Sequence, residues 1–418
     1  MNKNNLLLVE SEMTKAKGHF LDYLIETSNY FKDRNKITWF LNKNFNHQNL
    51  YLPTYCNINK IISSNNFKRK NNKFFYFFEE FFLFLKNFFD IFYFIIHFST
   101  NRTKLLAFLK CLKENYFIIP RYFKSFYLEY IKLNYNYNDN IIFQSCRRKD
   151  IALVFFLSHI EKDNSPKIHL RIFLPPNKRF KDFYFYLNKL KYNLQKRIFI
   201  YTEDGYKKDL FITELGDKKL VNTTTPIFNS FKRDLPPNKH VIGFIGEARA
   251  NKGFNKIPDL INLLNKEGDD YNFIIQFSNV DNETKKTADT LLELSKNNKK
   301  INIINKYCDF KDYRDILKNI TLMPLMYDTN HMNVTNSGII YSCISHEIIP
   351  LIPSNCDYLK KILTTNSYME SDRIGDFVKN IKHIIDNYDL FLNNAKKSSD
   401  NLCKIIDNGS MVSNIYNS

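Results

Sequence analysis

The stretch His240-Val-Ile-Gly-Phe-Ile-Gly-Glu-Ala-Arg-Ala-Asn-Lys-Gly253 constrains this chain more than any other. Val241 to Ile245 reads as a buried strand. A glycine turn with two cations, Arg249 and Lys252, follows it. A helix then begins near Phe254, with Ile257, Leu260, Ile261 and Leu264 on one face at helical spacing. A strand that enters a helix through such a turn suits a phosphate. Free N–H groups and the positive dipole end meet the anion there, and glycines let the backbone come close. The chain has only 10 glycines, and Gly243, Gly246 and Gly253 all fall in this stretch. It is neither a dinucleotide fingerprint nor a P-loop. The alternative is an ordinary βα turn with two solvated cations.

At 418 residues the chain has room for two or three domains. Its 44% hydrophobic content fills cores and excludes wholesale disorder. Phe (39) and Tyr (26) are abundant, as AT-rich coding would make them, so these counts are discounted as functional signals. The net charge of +18 suits anionic partners. Basic residues are nevertheless dispersed, and no nucleic-acid-binding motif is present, so no nucleic acid is expected. Seven scattered cysteines without a C-x-x-C pair fit a reducing, cytoplasmic compartment and argue against disulfides or a cysteine zinc site. Leu6 to Val9 is too short for a signal peptide and reads as a first core strand.

The order of apolar runs predicts a parallel α/β architecture. Strands are expected at Asn5–Val9, Lys36–Leu41, Asn140–Gln144, Lys167–Phe173, Arg197–Thr202 and Val221–Phe228, with helices between them, one of them over 182–195. Gly18 and His19 follow the first strand, where open sheets bind ligands; the alternative for His19 is a surface-loop histidine. Asn229 to Asn238 has linker composition. Beyond it, strands are expected at 272–276, 301–304, 321–326 and 349–353, again alternating with helices. The tail from about Ile374 reads as helical. The implied domains are 1–232, 240–395 and a tail, 396–418, packing back on the first domain.

Residues 67–133 form a Phe-rich helical insertion in the first domain. Glu79, Lys86, Asp90 and His97 recur at steps that place them on one narrow helical stripe. These charges exclude a bilayer-spanning helix, which needs roughly 20 mostly apolar residues. Lysines and arginines flank the segment. Two expectations stand: contact of residues 67–113 with an anionic membrane surface, peripheral on the inner face of the plasma membrane, or burial against the sheet.

At Gly246-Glu-Ala-Arg-Ala-Asn-Lys-Gly253, Tyr327, Ser337-Gly338-Ile and Ile349-Pro-Leu-Ile the chain resembles a GT-B glycosyltransferase. It is most similar to the retaining glycosyltransferase family 4 class. Leu6-Leu-Leu-Val-Glu and Gly18-His19-Phe-Leu resemble that class's first strand and acceptor-side loop. The resemblance implies two Rossmann-like doubly wound domains facing a cleft, and sugar transfer from a nucleotide diphosphate sugar to an acceptor hydroxyl. The acceptor would be glycan or lipid-linked, in surface glycan or polysaccharide assembly. It implies that Arg249, Lys252, Ser337 and Gly338 hold the donor diphosphate. Gly246, Tyr327, Asn336 and Ser342 would line the donor loop, and Gly18 and His19 would face the acceptor. No cofactor or metal is expected, two cations replacing a divalent ion, and no catalytic residue is assigned. One departure stands out. The helix glutamate usual in this class falls on Ser342, with Glu347 where a turn glycine belongs and Val334 at the second acidic position. A degenerate GT-B protein and a basic membrane-surface binder are the alternatives.

Overall fold

The structure, a computed structural model, describes residues 3–11, 13, 20–45, 52–62, 91–97, 106, 119–160, 165–172, 197–203, 205–216, 221–231, 240–266, 268, 270–328 and 337–416. It divides into two compact units. One comprises residues up to Thr224 together with those from Ser410 onward, and the other runs from Thr225 to Gly409.

The first unit runs β1 (Asn4–Glu10), α1 (Phe20–Phe31), β2 (Asn35–Asn42), β3 (Asn57–Ile62), α2 (Ile119–Leu133), β4 (Asn140–Phe143), α3 (Arg148–Ile160), β5 (Lys167–Arg171), β6 (Ile198–Thr202), α4 (Gly205–Leu215) and β7 (Val221–Thr223). Its seven strands lie in the order β3-β2-β1-β4-β5-β6-β7, all pairs parallel. Leu6, Leu7 and Leu8 in β1 are fully buried, which explains why this run reads as core. The polar edge strand β3 escapes the sequence reading. The strand expected over Val221–Phe228 stops at Thr223, and the chain leaves the unit a residue later.

The Phe-rich segment is described only at residues 91–97, which are helical, at Leu106, and in α2. Of the expected stripe only His97 is described, and it is exposed and stacks on Tyr93. Phe94 is fully buried, while Phe92 and Ile96 are 52% and 58% exposed, so apolar side chains meet solvent over this turn as well. Glu79, Lys86 and Asp90 lie outside the described residues, as do most of 229–238 and the helix expected at 182–195.

The second unit runs β8 (Val241–Glu247), α5 (Ile257–Lys266), β9 (Asn272–Ser278), α6 (Lys285–Asn297), β10 (Ile301–Asn305), α7 (Phe310–Lys318), β11 (Leu322–Pro324), α8 (Gly338–Ser345), β12 (Ile349–Ile352), α9 (Asp357–Lys360), β13 (Met369–Glu370), α10 (Ile374–Asp386) and α11 (Tyr388–Asp407). Six parallel strands lie in the order β10-β9-β8-β11-β12-β13. The order reverses between β8 and β11. At such a switch point the loops part and leave a crevice at the carboxyl ends of the strands. Leu260, Ile261 and Leu264 of α5 are fully buried against the sheet, each contributing roughly 1.5–3 kcal/mol.

The last helix, α12 (Ser410–Tyr416), belongs to the first unit. Asn414 donates to the Tyr201 hydroxyl at 2.9 Å, Lys167 Nζ donates to the Asn414 carbonyl at 3.3 Å, and Arg34 lies over the Tyr416 ring. Residues 396–407, read as part of the tail, continue α11 in the second unit, which runs to Gly409.

Candidate functional site

β8 ends at the crevice of the second sheet. The helix expected near Phe254 starts three residues later, because two short 3-10 turns, Ala250–Lys252 and Phe254–Lys256, come first. Gly253 joins them at φ +80, and a Cβ there would strike the Met326 carbonyl. Only glycine lets this turn lie against the segment after β11. Two bonds tie the segments: Asp328 N–H donates to the Asn251 carbonyl at 2.8 Å, and Lys256 Nζ to the Met326 carbonyl at 3.4 Å. Gly246, at φ +134, carries the strand into the turn. Its N–H donates to Gln276 Oε1 at 3.2 Å, and Gln276 Nε2 donates to the Lys306 carbonyl at 2.7 Å.

A small pocket of about 40 Å³, partly open to solvent, sits where these pieces meet. Gly246, Glu247, Lys252, Gly253, Tyr327 and Ile339 line it, over an apolar floor that includes Phe254 and Met323. Lys252 is half-buried. Loss of water contact lowers its pKa first, and the neighbouring Arg249 charge lowers it further, while Glu247 opposes them. Arg249 stands apart: it is ion-paired with Glu247, its side chain is 54% exposed, and it is not among the lining residues.

α8 begins beside the pocket. Its N-cap is Ser337, whose hydroxyl lies 2.6 Å from the buried Tyr327 hydroxyl, and Ile339 in its first turn lines the pocket. Burial pushes the Tyr327 pKa up, against the Ser337 bond. The structure therefore brings Gly246, Lys252, Tyr327 and Ser337-Gly338 together. Asn336, Val334, Gly18 and His19 lie outside the described residues.

Ser342 is buried inside α8, its Oγ 3.4 Å from the Gly338 carbonyl and 3.5 Å from the Tyr313 hydroxyl, and it does not line the pocket. α8 ends with Glu347 N–H on the Ile344 carbonyl and Ile348 N–H on the Cys343 carbonyl, at 3.2 and 2.9 Å. This pairing needs a left-handed residue, usually glycine, and Glu347 supplies it at φ +55. Glu347 thus takes a backbone conformation that glycine usually supplies.

Two lining residues escape the sequence reading. Glu247 lies inside the motif, but alternation does not say which way it faces. Gln276 has no motif at all. Among the described residues, no three His, Cys, Asp or Glu side chains are grouped to hold a metal ion, and the six described cysteines form no disulfide.

No family model matches the sequence, and no curated protein does. Solved structures match throughout. A glycosyltransferase from Rickettsia africae ESF-5 is 12% identical, covers 100% of both chains and has a TM-score of 0.56. Anabaena HepE, solved in complex with UDP, is 9% identical over 99% of this chain and 100% of that one, at a TM-score of 0.55. Sucrose-phosphate synthase from Thermosynechococcus elongatus is 6% identical over 97% and 95%, also at 0.55. At these identities the likeness is one of fold. The chain has the GT-B fold, with two parallel-sheet α/β units and full-length similarity to glycosyltransferase structures.

Proposed function

We propose that this chain transfers a sugar from a nucleoside diphosphate sugar to an acceptor hydroxyl. The observation that carries the reading is the switch-point pocket, where the Lys252 side chain and the start of α8 converge. A departing nucleoside diphosphate gains negative charge as the glycosidic bond breaks. A fixed ammonium and helix N–H groups stabilise that charge without a metal. Arg249 adds a fork of donors when it reaches the phosphates. The similarity to HepE, solved with UDP, supports a uridine diphosphate donor.

The finer reading is a retaining hexosyltransferase of the family 4 class, in which the leaving phosphate helps to deprotonate the acceptor. The acceptor is a glycan or lipid-linked hydroxyl in surface glycan or polysaccharide assembly on the cytoplasmic side. Calorimetric titration with UDP-, GDP- and ADP-sugars tests the core of it. Binding by at least one is expected, and Lys252→Ala should weaken it about 10²-fold. No binding by any of the three removes the reading.

Two further readings each rest on one observation. Ser342, buried at the glutamate position, favours a donor-binding protein without turnover. Donor binding together with absence of hydrolysis or transfer would establish it. The exposed Phe92 and Ile96, one helical turn apart in the flanking-lysine segment, favour contact with an anionic membrane surface. Liposome flotation at low salt tests that contact, and no flotation with anionic lipid ends it.

A further inference from the structure

The strand that feeds the pocket ends in an acid. Glu247 closes β8 and lines the pocket together with Lys252. A carboxylate in a cavity suited to phosphate opposes the ligand that the cavity fits. Both of its oxygens are engaged. Oε2 is ion-paired with Arg249, and Oε1 accepts from Asn279 Nδ2 at 3.0 Å. The side chains are 54% exposed at Arg249 and 28% at Glu247. Glu247 therefore lines the cavity, while the cation expected on the diphosphate is paired with it and is not among the lining residues. Lys252 feels both charges, so the three groups form one electrostatic cluster.

We infer that Glu247 is a latch, an internal anion that holds Arg249 off the diphosphate site until a nucleoside diphosphate displaces it. The inference rests on the donor-binding reading above and adds a positioning residue to it. Binding becomes an exchange of partners. The Arg249 guanidinium leaves the carboxylate and takes phosphate oxygens in its planar fork. Glu247 keeps its bond from Asn279. One ion pair replaces another, so the net cost is small. The exchange favours an anion long enough to reach Arg249 while it also meets Lys252, as a diphosphate is.

The test is a double-mutant cycle read by calorimetric titration with UDP at fixed ionic strength, on the unaltered chain, Glu247→Gln, Arg249→Ala and the double variant. Glu247→Gln should tighten UDP, and by about 2- to 5-fold more when Arg249 is present than when it is alanine, the equivalent of a partly exposed ion pair. Equal tightening in both backgrounds means simple repulsion and overturns the latch. So does unchanged or weaker binding. UDP binding to Glu247→Gln but neither to the unaltered chain nor to the double variant supports it. UDP binding to the unaltered chain, with no gain in the variant, defeats the latch and leaves the donor reading standing. No binding by any of the four defeats both. Glu247→Ala, read the same way, replaces a Glu247→Gln chain that fails to fold by circular dichroism.

Discussion

Gly253→Ala separates the two jobs of glycine at the pocket. Gly253 and Gly268 share φ +80 in the second unit, but nothing lies within 4 Å of a Cβ at Gly268. Alanine at either position takes a left-handed conformation that costs about 1–2 kcal/mol. It regains roughly 0.4–1 kcal/mol by stiffening the unfolded chain. Gly268→Ala should therefore lose about 1 kcal/mol or less. At Gly253 the added carbon also falls 2.6 Å from Met326 Cβ and 2.8 Å from its carbonyl carbon. Carbons rest about 3.5–4.0 Å apart, so the Met326 backbone must withdraw by roughly an ångström. Such overpacking costs about 1–3 kcal/mol. The Asn251–Asp328 and Lys256–Met326 bonds would stretch as well. Gly253→Ala should lose about 2–4 kcal/mol in total and carry Lys252 away from Tyr327. Urea unfolding by far-UV circular dichroism reads the stability, because the single tryptophan, Trp39, lies in the first unit. UDP titration reads the pocket. Equal losses for the two variants, with UDP binding intact in Gly253→Ala, would refute the close-approach argument.

Three other outcomes are expected. Lys252 in the ligand-free chain has its pKa held below its ordinary 10.5, and a bound diphosphate favours the ammonium and raises it. UDP affinity should then fall as pH rises through the lowered value, and titrations between about pH 7 and 10 should show that part of the fall missing in Lys252→Met. Burial first, then the Lys167 charge, pull His169 down to about 3 from 6.5, so its folded form stays neutral while the unfolded form takes up a proton. Its contribution is full above pH 6.5 and is lost as pH falls toward 3, at about 1.4 kcal/mol per unit; the acid melting profile of His169→Gln should be flatter, and an unchanged slope counts against the assignment. Tyr327→Phe removes the bond to Ser337 and should cost about 0.5–1.5 kcal/mol in thermal or urea unfolding and weaken UDP binding, with no change in either as the adverse result.

Much of the fold is legible in the chain. β1, β8, β9 and β12 are buried strands whose apolar runs announce them, since burial in a parallel sheet needs little else. The edge strands β3 and β13 are not legible. Asn57–Ile62 is half polar, and Met369–Glu370 is two residues long, so each is made a strand by its neighbour rather than by its composition. The site divides the same way. Glycine scarcity and the cations mark the β8 turn. Gln276 is invisible because its importance lies in bonds to residues 30 positions away on either side, Gly246 and Lys306.

From sequence alone came the two successive βα series and the glycine-cation turn between strand and helix. Hydrophobic periodicity and turn chemistry act over a few residues, so a linear chain displays them. Tertiary structure decided that Glu247 rather than Arg249 lines the pocket, that Met326 must lie against Gly253, and that α12 returns to the first unit through Tyr201 and Asn414. Those outcomes depend on distances between segments far apart in the chain, and such distances exist only once the sheets have formed.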